Sequence, residues 1–398
     1  MDVSIVEIKN VIDASLKIAS IGADSYSVPL MAQKAFTTAL KLHKIDNRAA
    51  NLIKQEALSL GAEAAVNQNI SRFIKGKSDV LLTANYKQLR ALLSKLSVQP
   101  FGLNALSEKM GLALSNYEKK EFKFKSGSKI IELGSRPKVM GIVNVTPDSF
   151  SDGGLLGSSE EAVEHALHLI NEGADIIDIG GESSRPGAIP VQLKIEKERV
   201  LPVIKKLAKK TKVPISIDTL KPEVARAALD NGAGIINDIS GLRFENGKMA
   251  KLAAKYRVPV IIMHMQGMPR NMQKKPVYKD VICDISDFFS ERVSFALNAG
   301  MKTDQIILDP GIGFGKTLEH NIEILKRLRE FKVLGYPLSI GTSRKSFIGK
   351  ILNIENPLDR IEGSLTTSFW SALNGAKILR VHDVKETVRA LKIAEVLQ

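Results

Sequence analysis

Eight times after residue 138 a short apolar run ends in, or is interrupted by, a polar residue, and a helical pattern follows each time. The runs are KVMGIVN (to Asn144), ADIIDIG (around Asp178), VPISID (to Asp218), GIINDIS (around Asn237), VPVIIMH (to His264), QIILDPG (around Asp309), YPLSIGTSRK (to Lys345) and AKILRVHD (to Asp383). Strands of a parallel sheet are buried on both faces and read as continuous Val/Ile/Leu runs, and strands alternating with helices form βαβ units. Eight such units in roughly 260 residues match a (β/α)8 barrel. Catalytic groups in that fold sit at the C-terminal ends of the strands, so the polar residues that close the runs are the candidate site.

The chain has 398 residues, 44% of them hydrophobic, enough for more than one core. No apolar stretch is long enough to span a membrane. The opening MDVSIVEIKN lacks the basic-then-apolar layout of a signal peptide. Cys283 is the single cysteine, which excludes an internal disulfide and fits a cytoplasmic location. The net charge of +14 admits a nucleic acid, a membrane surface or an anionic small substrate. The excess is dispersed, apart from KLAKKTK (206–212) and EKKEFKFK (118–125), and no nucleic-acid motif accompanies it. These runs read as solvated faces, so neither a nucleic-acid nor a membrane partner is expected.

Residues 1–120 have a different rhythm and read as a small α/β accessory domain, followed by a linker and N-terminal hairpin over 121–136 and the barrel over 137–398. The pattern predicts strands at Val3–Ile8 and Asp79–Leu82, and helices at Asn10–Ile21, Met31–Leu42, Ala49–Leu60, Tyr86–Leu96 and Glu108–Tyr117. Gly61–Glu63 reads as a turn. The alternating 118–133 stretch predicts a hairpin that plugs the N-terminal face of the barrel. Helices predicted in the barrel include Leu193–Lys210, Asn321–Phe331 and Val384–Leu397, and glycines at 173, 232 and 300 end three others.

The loops carry the chemistry. Loop 1 (Asn144–Gly154) is long for a βα turn and holds Asp148, Asp152, Phe150 and a Gly pair, the composition of a lid, although Pro147 and Asp148 also suit a plain turn. Loop 2 (177–188) puts Arg185 and Pro186 on a second such segment. Asp178 lies inside its strand, where a carboxylate needs a partner. It suits the amidine-like donor edge of a pterin or guanine; a structural ion pair is the competing account. With Asp218, Asn237, Asp309 and Asn144, it suggests a polar heterocycle held flat, with Met263 against a ring face or serving as core filler. Arg344, Lys345 and Ser346 supply anion-binding groups, and Arg380 and His382 lie two apart on one strand, hence on one face. The DPGIGFGKT loop (309–317) fails the P-loop spacing, so its glycines read as sites of close backbone approach with Phe314 pointing into the site. No zinc-type Cys/His spacing occurs. Mg²⁺ held by a substrate pyrophosphate, Asn144 and a nearby Asp is chemically reasonable.

The motifs MGIVNVTPDSFSDGG (140–154), IDIGGESSRPGA (177–188), SIDT (216–219), IINDISG (235–241), MHMQGMP (263–269), DPGIGFGKT (309–317), GTSRKSFIG (341–349) and RVHDV (380–384) occur in one order. In them the barrel resembles the dihydropteroate synthases, the pterin-binding transferases of folate biosynthesis. The resemblance implies condensation of 6-hydroxymethyl-7,8-dihydropterin diphosphate with 4-aminobenzoate, which the sulfonamide drugs mimic, together with Mg²⁺ as cofactor and a homodimer. It implies a pterin pocket of Asp178, Asp218, Asn237, Met263, Asp309 and Lys345. The diphosphate would meet Asn144, Ser184, Arg185, Arg380 and His382. Phe150, Pro186, Phe314, Lys345 and Ser346 would frame the aminobenzoate. Asn144, Asp152 and Asp218 would serve Mg²⁺, and Asn144, Asp152, Arg185, Asp218, Lys345, Arg380 and His382 would carry catalysis. Ser184 stands where the family usually has Thr, and Thr342 where Leu is frequent. Residues 1–120 fall outside the usual minimal enzyme.

Three alternatives stand beside this reading. A pterin-dependent methyltransferase barrel would share the aspartates but has no use for SRKS or RVHD. A synthase acting on a different arylamine would keep every motif. A basic protein binding nucleic acid or a partner through residues 1–120 would need no catalysis.

Overall fold

The computed structural model describes residues 3–72, 74–126, 129–146, 159–185 and 187–397. The chain divides into two compact units, Met1–Ser115 and Asn116–Gln398.

In the first unit the order is α1 (Val11–Ser20), α2 (Val28–Ala35), β1 (Thr37–Asp46), α3 (Asn47–Ser59), β2 (Glu63–Val66), α4 (Gln68–Ser71), β3 (Lys77–Asn85), α5 (Tyr86–Leu96) and α6 (Leu103–Glu118). The strands form an antiparallel sheet in the order β1-β3-β2. Its core joins Leu42, Val80 and Leu82 of the sheet to Ile53 of α3 and Leu89, Leu92 and Leu96 of α5. Three expectations are corrected. Residues 3–8 carry no regular structure. The helix expected over Met31–Leu42 stops at Ala35, because TTALKLHKID alternates with a period of two and pairs with β3. The turn expected at Gly61–Glu63 ends one residue early, since Glu63 pairs with Thr83 at the start of β2.

The second unit continues with a hairpin of β4 (Phe122–Ser126) and β5 (Lys129–Leu133), then β6 (Lys138–Asn144), α7 (Ser159–Asn171), β7 (Ile176–Gly180), α8 (Leu193–Lys210), β8 (Ile215–Asp218), α9 (Pro222–Asp230), β9 (Ile235–Asp238), α10 (Lys248–Tyr256), β10 (Val260–Met263), α11 (Val281–Asn298), β11 (Ile306–Asp309), α12 (Leu318–Lys326), β12 (Leu338–Ile340), α13 (Ser346–Leu352), α14 (Ile361–Leu373), β13 (Ala376–Val381) and α15 (Val384–Leu397). Strands β6 to β13 close in chain order into a parallel barrel, with β13 pairing back onto β6. This is the (β/α)8 architecture. The helix expected over Asn321–Phe331 is instead α12, ending at Lys326, followed by a 3-10 segment, Leu328–Leu334.

Period-two alternation sorts each strand. Val139, Ile177, Ile217, Ile262, Leu308 and Leu379 pack outward against the helices. Ile176, Ile235, Ile307 and Ile378 point into the barrel, where they meet Met140, Ile261 and the hairpin residues Phe124, Ile131 and Leu133. The hairpin therefore plugs the interior from the N-terminal side. Each fully buried isoleucine contributes ~1.5–3 kcal/mol of hydrophobic stabilisation to this floor. Two residues further along the same four strands, on the same inward face, stand Asp178, Asn237, Asp309 and Arg380. Alternate strands thus supply one four-membered layer, the packing unit of this fold, and here it is polar.

Candidate active site

Closure of the barrel sets β13 beside β6, with β7 and β8 following, so Arg380 reaches across to residues 202 and 162 positions away. Its Nε donates to Asp178 Oδ2 at 2.6 Å and its terminal nitrogen to Asp218 Oδ2 at 2.7 Å. Asn237 Nδ2 donates to the same Asp178 oxygen at 3.0 Å. The other carboxylate oxygen, Oδ1, is buried and has no partner among the described residues. Burial works against the Arg380 charge, but Asp178 and Asp218 outweigh it and raise its pKa. Burial pushes the Asp218 carboxyl up, with Arg380 opposing.

Asp218 and Asn144 face each other across Gly180. A Cβ at Gly180 would lie 3.6 Å from Asp218 Oδ2 and 3.8 Å from Asn144 Oδ1, so the missing side chain leaves a cradle between two oxygen donors. Mg²⁺ takes oxygen ligands and keeps waters, so this donor pair suits it. Among the described residues no three His, Cys, Asp or Glu side chains come together to hold a metal ion. Asp152, the third expected ligand, lies outside the described residues, as do Phe150 and Pro186.

On the opposite wall, Asp309 Oδ1 accepts from Gly311 N at 2.7 Å, and burial raises its pKa. Lys345 Nζ donates to the Ile312 carbonyl and stands 4.8 Å from the Phe314 ring centroid. Burial lowers Lys345 to about 8, with Asp309 opposing. Met263 lies with Leu220, Ile239, Met265 and Met272 in an apolar wall that Phe244 and Phe314 extend.

His382 Nδ1 sits 3.1 Å from Ser343 Oγ. Burial, with the positive charges of Arg344 and Arg380, lowers it to about 3, and Arg185 on loop 2 adds to the effect. At neutral pH it therefore offers a hydrogen bond rather than a charge. Arg344 is engaged elsewhere, paired with Asp383 through Nε at 3.2 Å. Ser184 is half-buried and Arg185 exposed, both on loop 2; Ser346 is exposed at the first position of α13.

The structure thus gathers Asp178, Asp218, Asn237 and Arg380 into one bonded cluster, with Asn144 beside it and Asp309, Lys345 and Phe314 on the facing wall. Sequence reasoning missed several groups. Lys316 is buried with Nζ 3.0 Å from both His264 Nδ1 and the Phe314 carbonyl. Burial lowers Lys316 well below an ordinary lysine and takes His264 down to about 2. Ser343 holds His382, and its place two residues before Lys345 was the available signal. Lys221, next to the SIDT motif, bridges Glu182 and Glu196.

Comparison with known proteins agrees with this arrangement. A family model described as pterin binding enzyme matches residues 140–382. Dihydropteroate synthase of Escherichia coli (strain K12) is 50% identical over 261 residues, 66% of this chain and 92% of that protein. A probable bifunctional folylpolyglutamate synthase/dihydropteroate synthase of Halobacterium salinarum is 40% identical over 363 residues, 88% of this chain but 42% of its own length. Among solved structures, the Xanthomonas albilineans dihydropteroate synthase with 4-aminobenzoic acid superposes with a TM-score of 0.66 at 45% identity, covering 70% of this chain and 99% of that one. With most of its barrel matched at this level, the chain belongs to the family of pterin-binding enzymes, among the dihydropteroate synthases.

Proposed function

We propose that this chain joins 6-hydroxymethyl-7,8-dihydropterin diphosphate to 4-aminobenzoate, giving 7,8-dihydropteroate and pyrophosphate. The single observation that carries the reading is Asp178, a buried carboxylate with one oxygen bound to Arg380 and Asn237 and the other without a partner among the described residues. A free buried acceptor is costly until a donor arrives. The N–H edge of a flat pterin supplies one, and Asn237, Asp309 and Lys345 lie in position to bind the rest of the ring edge while Met263 packs against its face. Asn144, Ser184, Arg185, Arg380 and His382 take the diphosphate. Phe314, Lys345 and Ser346 frame the arylamine; Phe150 and Pro186, expected to join them, lie outside the described residues.

The C–O bond between the pterin methylene and the diphosphate breaks first, and its electron pair leaves with pyrophosphate. Arg380 and the neutral His382 stabilise the charge that grows there. The electron-rich ring shares the cation left on the methylene, and loop 2, whose Gly187 N donates to the Pro269 carbonyl, helps keep water from trapping it. The neutral arylamine nitrogen attacks, the C–N bond forms, and the extra proton on that nitrogen passes to solvent. No strong general base is needed. Asn144 and Asp218 would hold Mg²⁺, with Asp152 the third ligand expected from the sequence, and the ion would supply positive charge to the departing diphosphate.

Sulfonamides compete with 4-aminobenzoate on this reading. We place the protein in the cytoplasm, which fits its single cysteine, Cys283. A homodimer is part of the proposal and is supported by α14, which has one charged residue, Glu362, in thirteen and exposes Trp370. The test is turnover by the purified chain with the pterin diphosphate, Mg²⁺ and 4-aminobenzoate. Pteroate and pyrophosphate in equal amounts support the reading. Consumption of the diphosphate with no pteroate, or methyl transfer from methyltetrahydrofolate, contradicts it. Oxygen-isotope scrambling within the diphosphate, in the absence of arylamine, supports the dissociative order; a rate set by arylamine nucleophilicity with no scrambling opposes it.

A further inference from the structure

A buried ion cluster outside the proposed chemistry joins the root of loop 2 to the end of β8. Glu196, in the first turn of α8, has a side chain with no solvent exposure. It accepts from Thr219 Oγ1 at 2.6 Å and from Lys221 Nζ. The same Lys221 nitrogen donates to Glu182, the first side chain of loop 2 after the Gly180–Gly181 pair. Arg199, also on α8, donates to the Gly181 carbonyl at 2.8 Å. Gly181 admits this close approach: a Cβ there would stand 2.7 Å from Val200 Cγ1.

Beyond this root, the described residues of loop 2 are tied mainly by backbone hydrogen bonds. Among the described residues of 183–189, two of the backbone hydrogen bonds stay within the loop, Arg185 N to Ser183 Oγ at 3.4 Å and Ala188 N to Arg185 O at 3.0 Å. One crosses the mouth, Gly187 N to Pro269 O at 3.1 Å. Thr219, the other side of the cluster, directly follows Asp218. Pairing of β7 with β8 ends at Gly180 beside Asp218, and the ammonium of Lys221 carries that tie past the strand ends to Glu182, where no strand pairing reaches.

We propose that Glu182 and Lys221 are positioning residues that lock the root of loop 2 to the Asp218 strand end, so that Ser184 and Arg185 meet the diphosphate with the register Asp218 sets. The inference rests on the proposed function for its ligands and on nothing but the cluster for its effect on the loop. It says that the clamp serves the phosphate end of the site and not the ring end, where Asp178, Asn237 and Asp309 are held by other partners.

The informative variant is Glu182→Gln, which leaves the buried Glu196–Lys221 pair intact. Hydrogen exchange of the 181–190 segment is expected to rise about tenfold while the 214–219 segment is unchanged. Affinity for pyrophosphate, measured by calorimetry, is expected to fall about tenfold, with affinity for unphosphorylated 6-hydroxymethylpterin kept within about twofold. The melting temperature should stay within about 3 °C. Glu182→Asp, which keeps the charge, should recover part of the pyrophosphate affinity. Unchanged exchange and pyrophosphate binding, or a parallel loss of both ligands, would overturn the clamp. A wild-type protein that binds neither ligand would sink the proposed function instead and leave the exchange comparison to decide the clamp.

Discussion

Asp178 and Arg380 meet at 2.6 Å across the barrel seam, from strands β7 and β13. The guanidinium occupies one carboxylate oxygen and leaves the other bare in a fully buried position. The pair thus holds the acceptor in place before any ligand arrives, which is preorganisation in its simplest form.

Removing the guanidinium strands two acids. Arg380→Ala leaves Asp178 and Asp218 buried without their shared cation. Breaking a buried pair by deleting one partner costs ~3–5 kcal/mol. Chemical denaturation should show a loss of that size, alongside loss of turnover, whereas Arg380→Lys should recover stability better than activity, because one ammonium cannot reproduce the two-pronged geometry. An Arg380→Ala protein as stable as the parent would contradict the account of the layer.

Filling the cradle tests the oxygen pair. Gly180→Ala puts a methyl 3.4 Å from Asp218 Cβ and 3.8 Å from Asn144 Oδ1, ordinary contact distances. The variant should fold with stability within about 1 kcal/mol of the parent. Its Mg²⁺ activation should weaken about tenfold, since the methyl occupies the space both oxygens face. Mg²⁺ titration of the rate checks this, and an unaltered Mg²⁺ dependence would move the metal elsewhere.

Acid should destabilise the fold through His264. Burial takes its pKa down to about 2, with Lys316 adding to the effect. The folded state stays neutral while the unfolded chain gains a proton near pH 6.5, so this contribution is complete above that pH and fades as pH falls towards the folded value. Between pH 7 and 5 the loss from this residue is about 2 kcal/mol. Denaturation at both pH values should show a shallower pH slope in His264→Gln than in the parent.

The barrel was legible because its strands are buried on both faces, so each βα unit announces itself as an apolar run followed by a helical period. Asp178, Asn237 and Asp309 were legible for the same reason: a polar residue inside such a run has no cheap explanation. What Arg380 touches was not, because its partners lie on β7 and β8, brought within its reach only by closure of the ring. Glu196 sits in LKIEKER on an amphipathic helix, where a glutamate looks solvated. Only the fold turns it inward to meet Lys221. The start of β1 is masked in the sequence because its period-two alternation from Thr37 follows the helical pattern of Val28–Ala35 with only Phe36 between them.

The most direct measurement is calorimetric titration of unphosphorylated 6-hydroxymethylpterin into the parent protein and into Asp178→Asn. The amide cannot accept through both positions, so a ring N–H loses a buried acceptor, a change of about 2–3 kcal/mol, or roughly 30- to 150-fold in Kd. The account predicts one tight site in the parent and that loss in the variant, with the fold retained by circular dichroism. Equal affinity in the two proteins would contradict the claim that the Asp178 layer grips the ring by its edge.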